Sequence, residues 1–546
     1  MKKILFLLSL FFVILSFSPS LYEIYHAKDL PESREFVLEH NYMFDYNFYL
    51  SRIREGQEGR FLVVEKYYNQ PHQGSLFQIS YLLMGKIGGL FSLSPPVVYH
   101  GARLILGFIL LFLIGRYVMK LFSGWWPIVV YLFAITAGSW PILVKIPHFW
   151  RFATYMGWWS ASDSLQRITF LPHVILGQIF ILLFIWRFSD NDDQLLKFLR
   201  LLIWGMVGFV AGIIFPPTLI VVYTVFGVMS FLEILFEGSL AMRFRLRVTA
   251  RIIFILLSSL SFVYLQLIFK VKPWNVLALF DVKHRTLLPY MDYALSLGPM
   301  LPLGILGLII ALFRKEKKLT SVVSWVLSIG ILFFIFEYIP QQSPLRFTEA
   351  AINIPLGILA AYLLLQFWKL GERYRQRGVK VITVITVIVV ISLGLGVMVS
   401  MVGWLTDQAY SKRTGSWTVP TGTQLIYPLK DFMAAIYFLR DQTKKEAVVL
   451  TSETAGNFIP AYSGNFVYLG HANTPNEEEK RAVVQQFFAG KMTKDEAKEF
   501  LQKERISYIY FGPQEKEAGN IKDLGSIYPL ISPVYSNNQV VIYKVN

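Results

Sequence analysis

The chain has 546 residues, of which 54% are hydrophobic and 16% charged, with a mean hydropathy of +0.48. A soluble domain carries about 25% charged residues, so the apolar excess must face lipid, which excludes an ordinary soluble enzyme. The net charge of +16 would suit a nucleic-acid binder. Its basic residues instead fall in short loops between apolar stretches, where they set topology, and no nucleic-acid partner is expected. Cysteine is absent, which excludes disulfides, thiolate nucleophiles and cysteine metal sites.

The first apolar stretch, residues 4–17 behind Lys2 and Lys3, has the shape of a signal peptide. Ser16-Phe17-Ser18-Pro19-Ser20 is not a clean small-x-small cleavage site, so an uncleaved first helix is expected. About 20 apolar residues cross the hydrocarbon core of a bilayer. By that rule, spans are expected at 4–20, 97–118, 124–144, 170–187, 199–215, 217–236, 252–269, 298–313, 319–337, 351–368 and 380–403. With the N-terminus inside, the inner loops carry Arg116 and Lys120, then Arg187, Lys197 and Arg200, then Arg243, Arg245, Arg247 and Arg251. Next come Arg314, Lys315, Lys317 and Lys318, and finally Lys369, Arg373, Arg375, Arg377 and Lys380. The outer loops are poorer in such clusters, although 270–297 holds Lys270, Lys272, Lys283 and Arg285. The positive-inside rule supports this orientation, and an odd number of spans puts the C-terminal residues outside.

Two segments are not membrane. The first is the long outer loop 21–96, polar and aromatic. Within it 75–91 is apolar but broken by Gly85, Gly88 and Gly89, as in a helix lying at the interface. The second is 404–546, with a soluble α/β pattern. A helix is expected over 429–441, where Phe432, Ala435, Ile436 and Leu439 share one face. Strands are expected at 447–450, 466–469 and 506–511. Thr474-Pro475 and the acids that follow open another helix, and Asn537-Asn538 marks a closing hairpin. The expected fold class is a polytopic α-helical membrane protein with about 11 transmembrane helices and a C-terminal extracytoplasmic α/β domain. The membrane module is 1–403 and the soluble domain 404–546.

The stretch most informative about chemistry is Asn41-Tyr42-Met43-Phe44-Asp45-Tyr46-Asn47-Phe48-Tyr49, on the outer side shortly past the first span. An acid among aromatics near a membrane surface is partly desolvated, which fits it for base work or metal ligation. Asp45 could equally be a solvated loop acid or cap a helix starting at Tyr46. The first span, then Phe44-Asp45-Tyr46-x-Phe48-Tyr49 and Gly56-x-x-Gly59, resembles the first outer loop of the GT-C superfamily of glycosyltransferases. That group includes protein mannosyltransferases, aminoarabinose transferases and the catalytic subunit of oligosaccharyltransferases. The resemblance covers most of the chain as architecture and short patches as motif. It implies transfer of a sugar from a polyprenyl-phosphate carrier outside the cytoplasm, with Asp45 catalytic at the acceptor, as base or through a divalent metal such as Mg or Mn. Many members carry a pair of acids in this loop, whereas here Asp45 is followed by Tyr46, with Glu39 and Glu55 the nearest acids.

The second outer loop, 145–169, offers Asp163. The resemblance to oligosaccharyltransferases implies a metal ligand there, and a helix cap before Ser164 is the plain alternative. The same loop holds His148, Arg151 and Arg167, and His173 at the mouth of the fourth span could hold a phosphate. Arg346, in the last outer loop, looks like the GT-C arginine that faces the carrier phosphate. Guanidinium binds phosphate oxygens bidentately and keeps its charge, although a pair with Glu349 is the alternative. Arg103 lies inside the second span, where a charge is costly unless it functions or snorkels. Tyr67 and His72 in the first loop are of types that suit sugar recognition. The expected activity is glycosyl transfer from a polyprenyl-phosphate donor to an acceptor glycan, lipid or protein at the plasma membrane. The alternatives are a lipid or solute transporter or flippase and a non-catalytic assembly protein. No P-loop, G-x-S-x-G elbow, H-E-x-x-H or dinucleotide fingerprint is present.

Overall fold

The structure is a computed structural model and describes residues 1–147, 149–189, 198–237 and 242–546. His148 and Lys197, both named above, lie outside the described residues. In chain order the first helices are α1 (Lys2–Tyr25), α2 (Met43–Gln57), α3 (Ile79–Leu90), α4 (Pro95–Leu121) and α5 (Trp126–Thr136), followed by the strands β1 (Ile142–Ile146) and β2 (Phe149–Ala153). Next come α6 (Pro172–Ser189), α7 (Phe198–Ile214), α8 (Pro217–Glu237), α9 (Met242–Ser258) and α10 (Leu260–Ile268). They are followed by α11 (Trp274–Lys283), α12 (Tyr290–Ser296), α13 (Met300–Phe313), α14 (Thr320–Glu337), α15 (Asn353–Arg373) and α16 (Arg377–Thr414). The remainder is α17 (Lys430–Gln442), β3 (Val448–Leu450), α18 (Glu453–Tyr462), β4 (Phe466–Val467), α19 (Glu477–Phe488) and α20 (Lys494–Lys503), then β5 (Ile506–Phe511), α21 (Pro513–Gly519), β6 (Ile531–Ser536) and β7 (Val541–Val545).

The chain divides into two compact units. One comprises Met1–Ser18, Ala102–Leu265 and Asp281–Leu405, the other Pro19–Gly101, Gln266–Phe280 and Thr406–Asn546. The sequence division put the first outer loop with the membrane module, whereas in the structure it packs with the C-terminal residues in one unit.

The first unit holds most of the spans. Among the described residues, eight helices are long and apolar enough to cross a membrane, or nine if a bent pair counts as one span. Three of the eleven expected spans fall short of that length. The apolar run 124–144 forms α5 and then enters the β1–β2 hairpin, because Gly138-Ser139-Trp140-Pro141 cannot continue a helix. Among the described residues the run 199–215 gives an apolar helix of 16 residues, Leu199–Ile214. The run 298–313 becomes α13, bent by 88° from α12 at a break where Gly298 takes a left-handed φ of 57° before Pro299. The small residues of α13 bring it close to α15: a Cβ on Gly307 would lie 2.0 Å from the Leu359 carbonyl oxygen.

The second unit is a five-stranded sheet ordered β4-β3-β5-β7-β6, with helices on both faces. β3 runs parallel to β4 and β5, and β7 is antiparallel to β5 and β6. The alternation within β5 sorts the two cores. Tyr510 joins Phe432, Leu439, Phe458 and Ile459 from α17 and α18, with Tyr46, Phe48 and Ile53 from α2. Ile509 and Phe511 join Val484, Phe487 and Leu501 from α19 and α20. The helix expected over 75–91 is α3, short for a span at 12 residues, and it leaves Leu83, Ile87 and Leu90 exposed.

Candidate active site

In the second unit, α2 carries Asp45 in its first turn, where the positive end of the helix dipole favours a carboxylate. The two glycines of the motif have separate tasks. A Cβ on Gly56 would sit 2.0 Å from the Leu82 carbonyl oxygen, so Gly56 lets α2 lie directly on α3, and Gly59 turns the chain away at φ 89°. On its other side α2 is pinned to α18. Asn47 Nδ2 donates to Asn457 Oδ1 at 2.8 Å, and Asn457 Nδ2 donates to the Phe44 carbonyl at 3.1 Å. Below the site the buried Arg52 is held by Glu55 at 3.0 Å and Glu65 at 2.6 Å.

Asp45 faces His471, with Oδ1 3.5 Å from Nε2. The imidazole is stacked on Phe48 at 4.8 Å and tilted on Tyr67 at 5.4 Å, and is 5% exposed, against 46% for the carboxylate. Asn473 N–H donates to His471 Nδ1 at 3.1 Å, so the ring proton of the neutral tautomer sits on Nε2 and points at Asp45. The desolvated acid expected from the sequence is therefore a half-exposed carboxylate with a buried donor behind it. By sequence alone His471 has only the setting of a turn after a strand. Small residues around a lone histidine, Gly470-His471-Ala472-Asn473, were the one local signal.

Tyr67 and His72 support the loop. Tyr67 is fully buried, its hydroxyl donates to the Asn457 carbonyl at 3.3 Å, and burial pushes its pKa up. His72 Nε2 accepts from Glu65 N–H at 2.8 Å and Nδ1 lies 2.9 Å from the Gln70 carbonyl. Burial lowers its pKa, consistent with a neutral ring closing the loop.

In the first unit, Arg346 lies on the 3-10 helix Pro344–Glu349, whose N-terminus is capped by Ser343 Oγ accepting from Leu345 N–H at 3.2 Å. Its guanidinium is 34% exposed and lies 3.4 Å from Asp281 and 3.8 Å from Glu349. Glu349 is buried, with Oε2 lacking a hydrogen-bond partner, and burial pushes its pKa up to about 7. Trp159, in the segment between β2 and α6, braces this helix, its Nε1 donating to Thr348 Oγ1 at 2.8 Å. Asp163 is buried, and its Oδ1 accepts from Leu165 N–H at 2.9 Å and Gln166 N–H at 2.8 Å, where the chain enters the 3-10 helix Gln166–Thr169. Burial raises its pKa. Arg167 donates to the Ile135 carbonyl at 2.8 Å and is pushed down to about 10 by burial. Arg103 is buried and ties α4 to the same segment, Nε donating to the Thr169 carbonyl at 2.7 Å. His173, at the start of α6, packs edge-on to Phe215 at 5.8 Å.

Among the described residues, no three histidine, aspartate or glutamate side chains gather as a metal-binding group. Asp45 meets an N–H donor, and Asp163 already spends one oxygen on two backbone amides. The other oxygen of Asp163, Oδ2, is buried without a hydrogen-bond partner and is of the type a hard Mg or Mn ion takes as ligand, while no step below runs through a metal.

These features define a polytopic membrane protein whose fold is similar to that of solved membrane glycosyltransferases, with an acid in the first turn of α2 and an arginine before α15. The apo oligosaccharyltransferase of Archaeoglobus fulgidus is similar over 98% of this chain and 74% of that one, with a TM-score of 0.52 and 12% identity. The same enzyme, AglB, in complex with an inhibitory peptide and a dolichol-phosphate gives a TM-score of 0.50, and so does its complex with Zn and sulfate. ArnT from Cupriavidus metallidurans, bound to undecaprenyl phosphate, is similar over 97% of both chains, with a TM-score of 0.51 and 12% identity. No family model matches the chain, and no curated protein does. At this identity the likeness is one of fold.

Proposed function

We propose that the chain is a membrane glycosyltransferase that moves a sugar from a polyprenyl-phosphate donor to an acceptor glycan, lipid or protein outside the cytoplasm. Asp45 carries this reading: a half-exposed carboxylate at a helix N-terminus, aimed by a buried imidazole. The fold supports it, since the similar ArnT and AglB structures hold undecaprenyl phosphate and a dolichol-phosphate. In the proposed step Asp45 takes the proton of an acceptor hydroxyl while its oxygen bonds to the anomeric carbon. The bond from that carbon to the carrier phosphate oxygen breaks, with inversion. Arg346 is proposed to meet the charge that develops on the departing phosphate. Its contacts at 3.4 and 3.8 Å are long beside charge-assisted bonds of about 2.7–2.9 Å, so a phosphate can displace them. His173 is a second candidate for the phosphate, while Tyr67, His72, Arg103 and Asp163 act by holding their loops. The loop charges support a cytoplasmic N-terminus and an extracytoplasmic C-terminus, in what we propose is the plasma membrane.

The test is transfer of radiolabelled sugar from a panel of polyprenyl-phosphate donors by the purified full chain. Loss of a general base costs about 10²–10⁴-fold, so Asp45→Asn should lose nearly all transfer while inserting normally. Full activity in that variant sinks the assignment.

A further inference from the structure

Residues 73–102 contain a single Lys, Arg, Asp or Glu, which is Lys86, and they leave large apolar side chains in the open. Leu83, Ile87 and Leu90 form an exposed stripe along α3, spaced one helical turn apart, and Phe91 follows them. Lys86 neighbours Leu83 and Leu90 on the helix surface. Its Nζ lies 3.9 Å from the centre of the Phe61 ring, which joins Phe61 to the same patch. Leu90 is 82% exposed and Phe61 80%. So many large apolar groups side by side mark a contact surface.

Two contacts, both within the second unit, say what covers it. Gly88 of α3 packs on the first turn of α4, where a Cβ would lie 2.1 Å from Val98 Cγ2. α4 is long and apolar enough to cross a membrane. Just before α3, Phe77 meets Phe269 edge-on at 5.4 Å, and Phe269 directly follows the apolar helical stretch Phe244–Ile268, also long enough to cross. Both ends of α3 are therefore held where a spanning helix meets the membrane surface. A helix of 12 residues, about 18 Å long, held at both ends in this way lies along that surface. Its other face is taken by α2, since a Cβ on Gly85 would lie 1.9 Å from the Ile53 carbonyl oxygen.

We propose that α3, with Phe61 and Phe91, is seated in the membrane interface, with the Leu83, Ile87 and Leu90 stripe among the lipid chains and Lys86 at the level of the headgroups. Because α2 rests on α3, the seat also fixes the platform that carries Asp45. The seat is independent of the glycosyl-transfer reading and stands or falls without it.

The chain has no cysteine, so each introduced cysteine is unique. Full chains with Leu83→Cys, Lys86→Cys, Ile87→Cys or Leu90→Cys are spin-labelled and reconstituted in vesicles of phosphatidylcholine and phosphatidylglycerol. All four side chains reach the surface of the unit, so the variants should fold. Lys498→Cys, on the exposed side of α20, is the control. Collision rates are compared for oxygen, which concentrates in lipid, and for a water-soluble nickel chelate. The ratio of oxygen to nickel should be several-fold higher at 83, 87 and 90 than at 498, with 86 between. A ratio at 83, 87 and 90 equal to that at 498 places the stripe in water and overturns the proposal. Shielding from both reagents with spin–spin broadening places a second copy on the stripe and overturns it too. A depth that changes steadily from 83 to 90 describes a helix entering end-on, which is the third refuting result.

Discussion

Glu349→Gln should make the protein more stable at neutral and alkaline pH and leave it unchanged in acid. The Glu349 carboxyl is 1% exposed and burial raises its pKa from 4.5 to about 7, with Arg346 opposing and Asp281 reinforcing the rise. At about 1.4 kcal/mol per tenfold of proton affinity, ionising this carboxyl costs the folded chain about 3 kcal/mol. Between those two values the folded chain holds a proton that the unfolded chain releases. The associated stability is fully present below about pH 4.5 and is lost as the pH rises through about 7. Glutamine keeps the shape and removes the titration. Thermal unfolding of both proteins in one detergent, followed by tryptophan fluorescence from about pH 4.5 to 8.5, reads the difference. The curves should converge in acid and separate by about 3 kcal/mol at the alkaline end. A gap that stays constant across that range refutes the buried, high-pKa carboxyl.

His471→Phe preserves the stacking on Phe48 and deletes the donor that faces Asp45. It should lower the rate of transfer about tenfold and shift the pH profile with little effect on KM, a positioning effect smaller than that of Asp45→Asn. Arg52→Met strands Glu55 and Glu65 in the core and should destabilise the unit that carries α2 by about 3–5 kcal/mol, read as early protease cleavage of that unit.

Local pattern carried much of the fold. Residues 506–511 were legible as a strand and form β5, and the helix expected over 429–441 is α17, because alternation and helical period act within a few residues. Hydropathy failed where an apolar run conceals a break. It cannot separate a span from a helix followed by a hairpin, as at α5 and β1–β2, nor see the bend between α12 and α13. The β6–β7 hairpin at Asn537-Asn538 was legible, whereas the place of β7 beside β5 was not, since that pairing is long-range. At the candidate site, Asp45 stood out as an acid among aromatics, and Arg346 through its resemblance. The carboxyl groups near Arg346 were only half legible. Glu349 is three residues away on the same turn, whereas Asp281 arrives from α11, distant in sequence. His471 could not be paired with Asp45 from sequence, because the fold alone brings them together.

The bond from Asn47 to Asn457 joins residues 410 positions apart, and the first-loop core side chains Tyr46, Phe48 and Ile53 share a cluster with α17 and α18. During synthesis the loop is therefore finished long before the residues that bury it exist. Until they emerge, its aromatic face has no partner from its own unit and is open to misassociation. The same order of events delays competence: the imidazole that aims Asp45 is made among the last residues, so a nascent chain carries its acid unaimed until the C-terminal sheet closes around it.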